Sequence, residues 1–207
     1  MSTNQPRKPA GTPVGGQWAP MAHAELDVEL EDLGELFSQA RDGHLPEGFN
    51  RWEIIANWQG TTVAHIAAKH GHLPEGFDRW DLADRGGTTV AHVAARHGCL
   101  PEGFDRWDIA DGNGWTVAHE AALYNHLPDG FDRWDIADGN GWTVAHEAVA
   151  RGHLPRDFDR WELRDRRGVT VAQVAAEYGH LPNDFDQWDL VPEPLRTSPL
   201  AQDREWA

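Results

Sequence analysis

The chain repeats itself. Laying its 207 residues against one another brings Gly43, Gly71, Gly98, Asn125, Gly152 and Gly179 into register, at separations of 28, 27, 27, 27 and 27 positions. Each unit reads approximately G-H-L-P-x-G-F-D-R-W-D-[IL]-A-D-x-x-G-x-T-V-A-H-x-A-A-x-x. The first unit carries one extra residue near Ile54 and Ile55, and the sixth breaks off after Trp188, Asp189 and Leu190. Such a period restricts the fold more than any single motif, because a unit this short cannot bury its own apolar face and must lean on the next. The expected architecture is all-α: a solenoid of about five to six stacked helix-turn-helix repeats over residues 43–190.

Local signals fill in the unit. Thr62, Thr89, Thr116, Thr143 and Thr170 each follow a turn and precede an apolar stretch, the position of a helix N-cap. The helix that follows groups Val117, Ala118, Ala121 and Ala122, with small side chains that let neighbouring backbones come close. Gly71, Gly98, Gly152 and Gly179 stand at its end, where a left-handed C-cap favours glycine. Leu-Pro then turns the chain. A second, shorter helix is expected to begin at Gly48, Gly76, Gly103, Gly130, Asp157 and Asp184, carrying Phe77 and Trp80 and their equivalents three apart on one face. Asp84, Asp111, Asp138 and Asp165, three residues before a glycine, predict a tight polar turn into the next helix.

The flanks differ from the repeats. Residues 1–23 are rich in Pro and Gly with little to bury and are expected to be a disordered tail. Residues 24–42 place Leu30, Leu33, Leu36, Phe37 and Ala40 at helical spacing and predict a capping helix. Residues 191–207 predict an irregular end.

The phrase "DGNGWTVAHEAALYNH" resembles the ankyrin pattern D-x-x-G-x-T-P-L-H-x-A-A-x-x-G-H, with Val-Ala in place of Pro-Leu, and the likeness recurs five times over roughly 150 residues. The departure is length: ankyrin units have about 33 residues, and the shortfall falls in the second helix, at "LPEGFDRWDLA". A rival resemblance is to leucine-rich variant (LRV) repeats, which alternate α-helix with 3₁₀-helix and open the short element with Leu-Pro. The D-x-x-G-x-T turn and the His three residues after Thr favour the ankyrin-like reading. Either resemblance implies an α-solenoid, and the ankyrin-like one implies a protein-interaction scaffold.

Composition excludes several classes of function. Thirty-four acidic against eighteen basic residues leave a net charge of -16, which opposes direct binding to nucleic acid or to an anionic membrane. Cys99 is the only cysteine, so an intrachain disulfide is impossible and a cytoplasmic protein is expected. No apolar run approaches a membrane span, and no signal-peptide core is present. The opening "PAGTPVGGQWAP" resembles Pro/Gly preambles of reading frames from GC-rich bacteria and their phages, which implies a bacterial or mobile-element setting.

Candidate chemistry falls away on inspection. "GWTVAHEAAL" suggests half of a zinc-protease site, but the fourth residue after His119 is Leu123 and after His146 is Ala150, so the second imidazole of H-E-x-x-H is missing twice. The twelve histidines fall mostly at two repeat positions: His65, His92, His119 and His146 after "TVA", and His44, His72, His126, His153 and His180 before Leu-Pro. The ankyrin resemblance implies that the first set is buried and hydrogen-bonds backbone in the turns, and Gln173 replaces it in the fifth unit. The "DGNG" turns lack calcium's third ligand, since Trp115 or Trp142 stands there, and its closing Glu, since Ala122 or Val149 does. No metal, no cofactor and no catalysis are expected.

What varies between units marks where a partner would bind. The turns read "NWQG", "DRGG", "DGNG", "DGNG" and "DRRG"; the residue after each is Thr61, Thr88, Trp115, Trp142 or Val169; the residue after the His position is Ile66, Val93, Glu120, Glu147 or Val174. In ankyrin-like folds these positions line the concave partner face. Trp58, Trp115 and Trp142 are surplus to the six repeated tryptophans, and with Arg85, Asn113, Asn140, Glu120 and Glu147 they form the expected contact set for an unidentified protein partner. The competing expectation is that the tryptophans pack as a structural ladder. The expected molecule is a monomeric, non-enzymatic binding module. The alternative is an acidic DNA mimic that blocks a nucleic-acid enzyme. A stack of roughly 50 Å at helix spacing faces duplex DNA with about 30 charges over that length, so a total of -16 is a poor match.

Overall fold

A computed structural model describes residues 30–196, and the side chains from Leu33 onward. The expected tail at 1–23, the start of the capping helix at 24–29 and the last eleven residues lie outside the described residues. Within them the order is α1 (Leu30–Asp42), α2 (Val63–His70), α3 (Val90–Arg96), α4 (Val117–Leu123), α5 (Val144–Ala150), α6 (Val171–Tyr178), a 3₁₀ turn at Trp188–Leu190, and α7 (Glu193–Arg196). No strand occurs among the described residues. Single antiparallel bridges, such as Ala83 to Thr89 and Ala110 to Thr116, close each turn. Consecutive helices pack on one another from α1 to α7, so the chain is an all-α solenoid. Among the described residues no helix is long and apolar enough to cross a membrane.

Helices of seven or eight residues do not survive alone in water, and each is held at both ends. In α3, Thr89 is extended at the N-cap and its hydroxyl accepts from the His92 amide at 3.4 Å. The two preceding orphan amides, Val90 and Ala91, donate back to Leu82 O and Trp80 O at 2.9 and 3.1 Å. All of the first three amides therefore have partners before any neighbour arrives. At the other end Gly71 and Gly179 adopt φ of +74° and +76° and close α2 and α6. Asn125 takes the same place with φ +60°, a conformation that asparagine tolerates better than other side-chain-bearing residues.

The core is one small-residue layer. Val90, Ala91, Ala94 and Ala95 of α3, and their equivalents in α2, α4, α5 and α6, are fully buried except where Val149 shows a trace of surface. Alanine at these positions sets close helix spacing and leaves no room for a larger side chain.

The second limb of each repeat corrects the expectation of a second helix. It is two linked turns: Phe77 N donates to Pro74 O at 3.1 Å, and Leu82 N to Arg79 O at 3.2 Å. Between Pro74 and Phe77 stands Gly76, at φ +75°; Asp157 and Asp184 hold the same place without positive φ, and Phe158 N and Phe185 N make the same bonds to Pro155 O and Pro182 O at 3.1 Å, so the turns form with either residue. Only the last limb winds further, into the 3₁₀ turn at Trp188–Leu190. Where an irregular C-terminal end is expected, Glu193–Arg196 add one helical turn, anchored by the Arg196 guanidinium on Val191 O at 2.6 Å.

These limbs carry a continuous aromatic zigzag. From Phe49 and Trp52 through Phe77, Trp80, Phe104, Trp107, Phe131, Trp134, Phe158 and Trp161 to Phe185 and Trp188, each ring stands edge-on to the next at 5.0–5.4 Å. Each such contact contributes about 0.5–1.5 kcal/mol beyond area burial. The zigzag runs through every repeat and makes neighbouring limbs interdependent.

Candidate functional site: the turn edge and the junctions behind it

The polar turn before each helix is built on one side-chain oxygen. Asp84 Oδ1 accepts from the amides of Gly86 and Thr88 at 2.8 and 2.9 Å. Asp111 serves Asn113 and Trp115, Asp138 serves Asn140 and Trp142, and Asp165 serves Arg167 and Val169 in the same way. Burial disfavours the Asp165 charge, but hydrogen bonds from the Val169 amide and from Arg167 outweigh it and hold this carboxyl below its ordinary range. One carboxylate oxygen of each of these aspartates is thus engaged by the backbone of its own turn.

Asn57 plays the same part in the first repeat, accepting from Gln59 and Thr61. The extra residue of that repeat is therefore Ala56, one place beyond Ile54 and Ile55. Its amide donates to Thr61 O, where in the second repeat the Asp84 amide itself donates to Thr88 O. Trp58 consequently occupies the tip position of Arg85, and is not the equivalent of Trp115 and Trp142.

Behind the tips each repeat is stapled to the next by an imidazole. The Nε2 atoms of His65, His92, His119 and His146 reach the carbonyls of Thr88, Trp115, Trp142 and Val169 at 2.9–3.1 Å, always 23 residues ahead. A carbonyl only accepts, so Nε2 carries the proton. The neutral ring then leaves Nδ1 as acceptor for the Thr hydroxyl of its own N-cap, at 2.7–2.8 Å. Burial, only partly offset by the carbonyl bond, pushes His65, His119 and His146 below the usual imidazole range. The second histidine set also bridges repeats: Nδ1 of His126, His153 and His180 lies 2.6–2.9 Å from Ala95 O, Ala122 O and Val149 O, in or near the last turn of a preceding helix. The first set is engaged in structure, as the resemblance implies, and His126, His153 and His180 of the second set are engaged as well. Among the described residues no group of three or more His, Cys, Asp or Glu is placed to hold a metal ion. Cys99 is half-buried, and burial raises its thiol pKa, which disfavours a nucleophilic thiolate.

The expected contact residues separate into two groups. Trp58 is 79% exposed, and its carbonyl is held by the Arg85 guanidinium at 2.7 Å. Arg85, Asn113 and Asn140 are exposed at the tips. Glu120 and Glu147, expected on an open face, are instead 5% and 7% exposed. Each accepts the indole N–H of its own repeat, Trp115 at 3.0 Å and Trp142 at 3.2 Å. Each also accepts a guanidinium: Arg96 reaches Glu120 at 2.6 Å and Arg151 reaches Glu147 at 3.0 Å. A buried carboxylate needs such partners, so these two glutamates orient the indoles and are not free for a partner. Trp115 and Trp142 are correspondingly half-buried, each tilted over the His of its own helix at 4.8 Å. The expectation that all three tryptophans stand exposed at the surface is corrected to one projecting ring and two half-buried, held ones.

Arg96 and Arg151 escaped the sequence reading. Arg96 lies in the preceding repeat, 24 residues from Glu120, and Arg151 comes four residues after Glu147. Only the second spacing is a signal visible along the chain. The chain matches no protein-family model and no curated protein.

Proposed function

We propose that this protein is a non-enzymatic, ankyrin-like interaction module that holds a protein partner along its turn edge. The supporting observation is a division of labour. The His staples behind the turns are engaged in bonds between repeats, whereas the tip residues, which differ from unit to unit, stand in water, and Trp58 projects there with most of its surface exposed. A large exposed indole on a turn fixed by an Asx bond and by Arg85 is a pre-ordered anchor, of the residue type that dominates interface energetics. Trp115 and Trp142 offer two further ring faces already held in one orientation, which lowers the entropy lost on binding.

The ankyrin-like assignment draws on the D-x-x-G-x-T turn and the His staple; the shortened double-turn limb accounts for the 27-residue unit. The protein acts as a monomer in the cytoplasm of a bacterium, without cofactor. Its acidity directs it toward protein surfaces and away from nucleic acid.

Affinity capture from the native host tests this reading, with wild type compared against Trp58→Ala and against Trp115→Phe with Trp142→Phe. A protein retained by wild type and lost from either variant supports it. An identical set of captured proteins in all three, with folding intact by circular dichroism, removes the turn edge as the binding surface.

A further inference from the structure

The turns of the solenoid are alike in backbone and unlike in charge. The residue that bridges to the N-cap Thr is Ile55, Ala83, Ala110, Ala137 and Arg164 in successive units. At the two tip places the series runs Trp58-Gln59, Arg85-Gly86, Gly112-Asn113, Gly139-Asn140 and Arg166-Arg167. The fifth turn thus sets three exposed arginines against the single Asp165, whereas the first four turns are neutral or carry one net negative charge. A cationic turn stands apart in a chain of net charge -16.

These charges are only partly used within the fold. Asp165 Oδ1 accepts from the amides of Arg167 and Val169, and its Oδ2 accepts from Arg167 Nε at 3.0 Å. The Arg167 side chain nonetheless remains 76% exposed. Arg164 donates to a neutral acceptor, Gly168 O at 2.9 Å. The Arg166 guanidinium has no hydrogen-bond or ion-pair partner among the described residues. The turn also lies open along the stack. A Cβ on Gly60, Gly87, Gly114 or Gly141 would meet the following turn at 2.7–3.0 Å, and one on Gly168 would meet nothing within 4 Å.

We propose that this fifth turn receives a carboxylate-rich segment of the protein partner, an inference that rests on reading the turn edge as the binding surface. Guanidinium forks pair with planar carboxylates through two parallel hydrogen bonds. Screening favours a short ligand over a long one. At physiological salt a charge is felt over about 8 Å, whereas adjoining layers lie about 10 Å apart. An acidic segment held over the turn therefore meets chiefly its arginines. A nucleic-acid strand carries its charge without interruption, and beyond the turn it would meet exposed carboxylates such as Glu162, Asp186 and Asp189.

The test titrates the full chain with octaglutamate and follows backbone amides by ¹⁵N–¹H NMR. Saturable shifts centred on residues 164–169 are expected, weakening several-fold as salt rises from about 50 to about 300 mM. The comparison variant combines Arg164→Ala, Arg166→Gly and Arg167→Asn, which copies the Ala137-Asp138-Gly139-Asn140 turn one repeat earlier. It should bind octaglutamate at least about fivefold more weakly. Equal affinity of wild type and variant, or shifts that avoid the fifth turn, overturns the proposal. Tighter binding of tripolyphosphate or of an eight-residue oligothymidylate also overturns it, by making the turn a phosphate site. Turn amides that move on dilution without peptide overturn it as well, by making a second copy's carboxylates the occupant. If the triple variant does not fold, Arg166→Gln replaces it and must itself weaken binding. The titration reads the last turn alone, so its failure is distinct from a failure of the tryptophan variants to change capture.

Discussion

The interior junctions and the terminal junction close the same gap with different atoms. At the four interior junctions the Thr hydroxyl donates to the imidazole Nδ1, and the imidazole donates its Nε2–H to a carbonyl 23 residues ahead. At the last junction Gln173 turns its amide oxygen back to the Thr170 amide at 2.6 Å, and the Thr170 hydroxyl itself donates to Leu190 O at 3.0 Å, 20 residues ahead. The stack therefore requires a filled bond across each junction and accepts more than one chemistry for it. The imidazole is the longer arm, used where a full turn tip must be held.

The difference between interior and end is largest where backbones touch. A Cβ at Gly87 would lie 2.7 Å from the Gly112 amide nitrogen, whereas at Gly168 nothing stands within 4 Å, although both glycines have φ +83°. Gly168→Ala should cost only the left-handed strain, about 1–2 kcal/mol. Gly87→Ala adds a backbone clash and should cost more than about 3 kcal/mol. Urea unfolding of the two variants measures the gap, and equal losses would break the distinction.

Next in size is the staple itself. His119 is wholly buried with both ring nitrogens bonded, so His119→Ala should lose about 2–4 kcal/mol, from the cavity and from the polar groups left unpaired. His119→Gln imports the terminal solution and should recover about half of that loss. If Gln proves no better than Ala in thermal melts, the two junction types are not interchangeable.

Acid should separate the junctions further. The folded-state pKa values of His65, His119 and His146 lie below the ordinary 6.5, chiefly through burial. The unfolded chain therefore takes up protons first, and the stability these rings contribute is complete above about pH 6.5 and is lost as pH falls below it. Melting temperature should drop between pH 7.5 and 5.5, and less steeply in a variant with Gln at positions 65, 119 and 146. A wild-type profile that is flat over this range contradicts the neutral staple.

The smallest effect belongs to the exposed edge. Arg79 and Glu53 pair at 2.7 Å with both side chains largely in water, so Arg79→Ala should change stability by less than about 1 kcal/mol. A loss as large as that of His119→Ala would mean that the limb edge matters as much as the junctions.

The repeat length, the Thr caps, the buried Val-Ala pattern and the structural engagement of the first histidine set are all legible along the chain. These features depend on residues a few positions apart or on one environment copied several times. That H-E-x-x-H is incomplete at His119 and His146 is also read from spacing, because Leu123 and Ala150 stand where the second imidazole would be. Other features depend on what lies one layer away. The second limb forms turns whether Gly76 or Asp157 stands at the bend, although both residues also suit a helix start. Glu120 varies between units as a contact residue would, yet Arg96, 24 residues earlier, draws it inward. Trp58 and Trp115 are both expected at the partner surface, yet only the tip position leaves a ring in water, because Glu120 draws the Trp115 indole inward.

The sequence by itself determined a stack of short capped helices, since units that cannot bury themselves singly must do so together. Which side chains remained in water was decided only by the tertiary structure, because exposure is a property of the neighbouring repeat as much as of the residue.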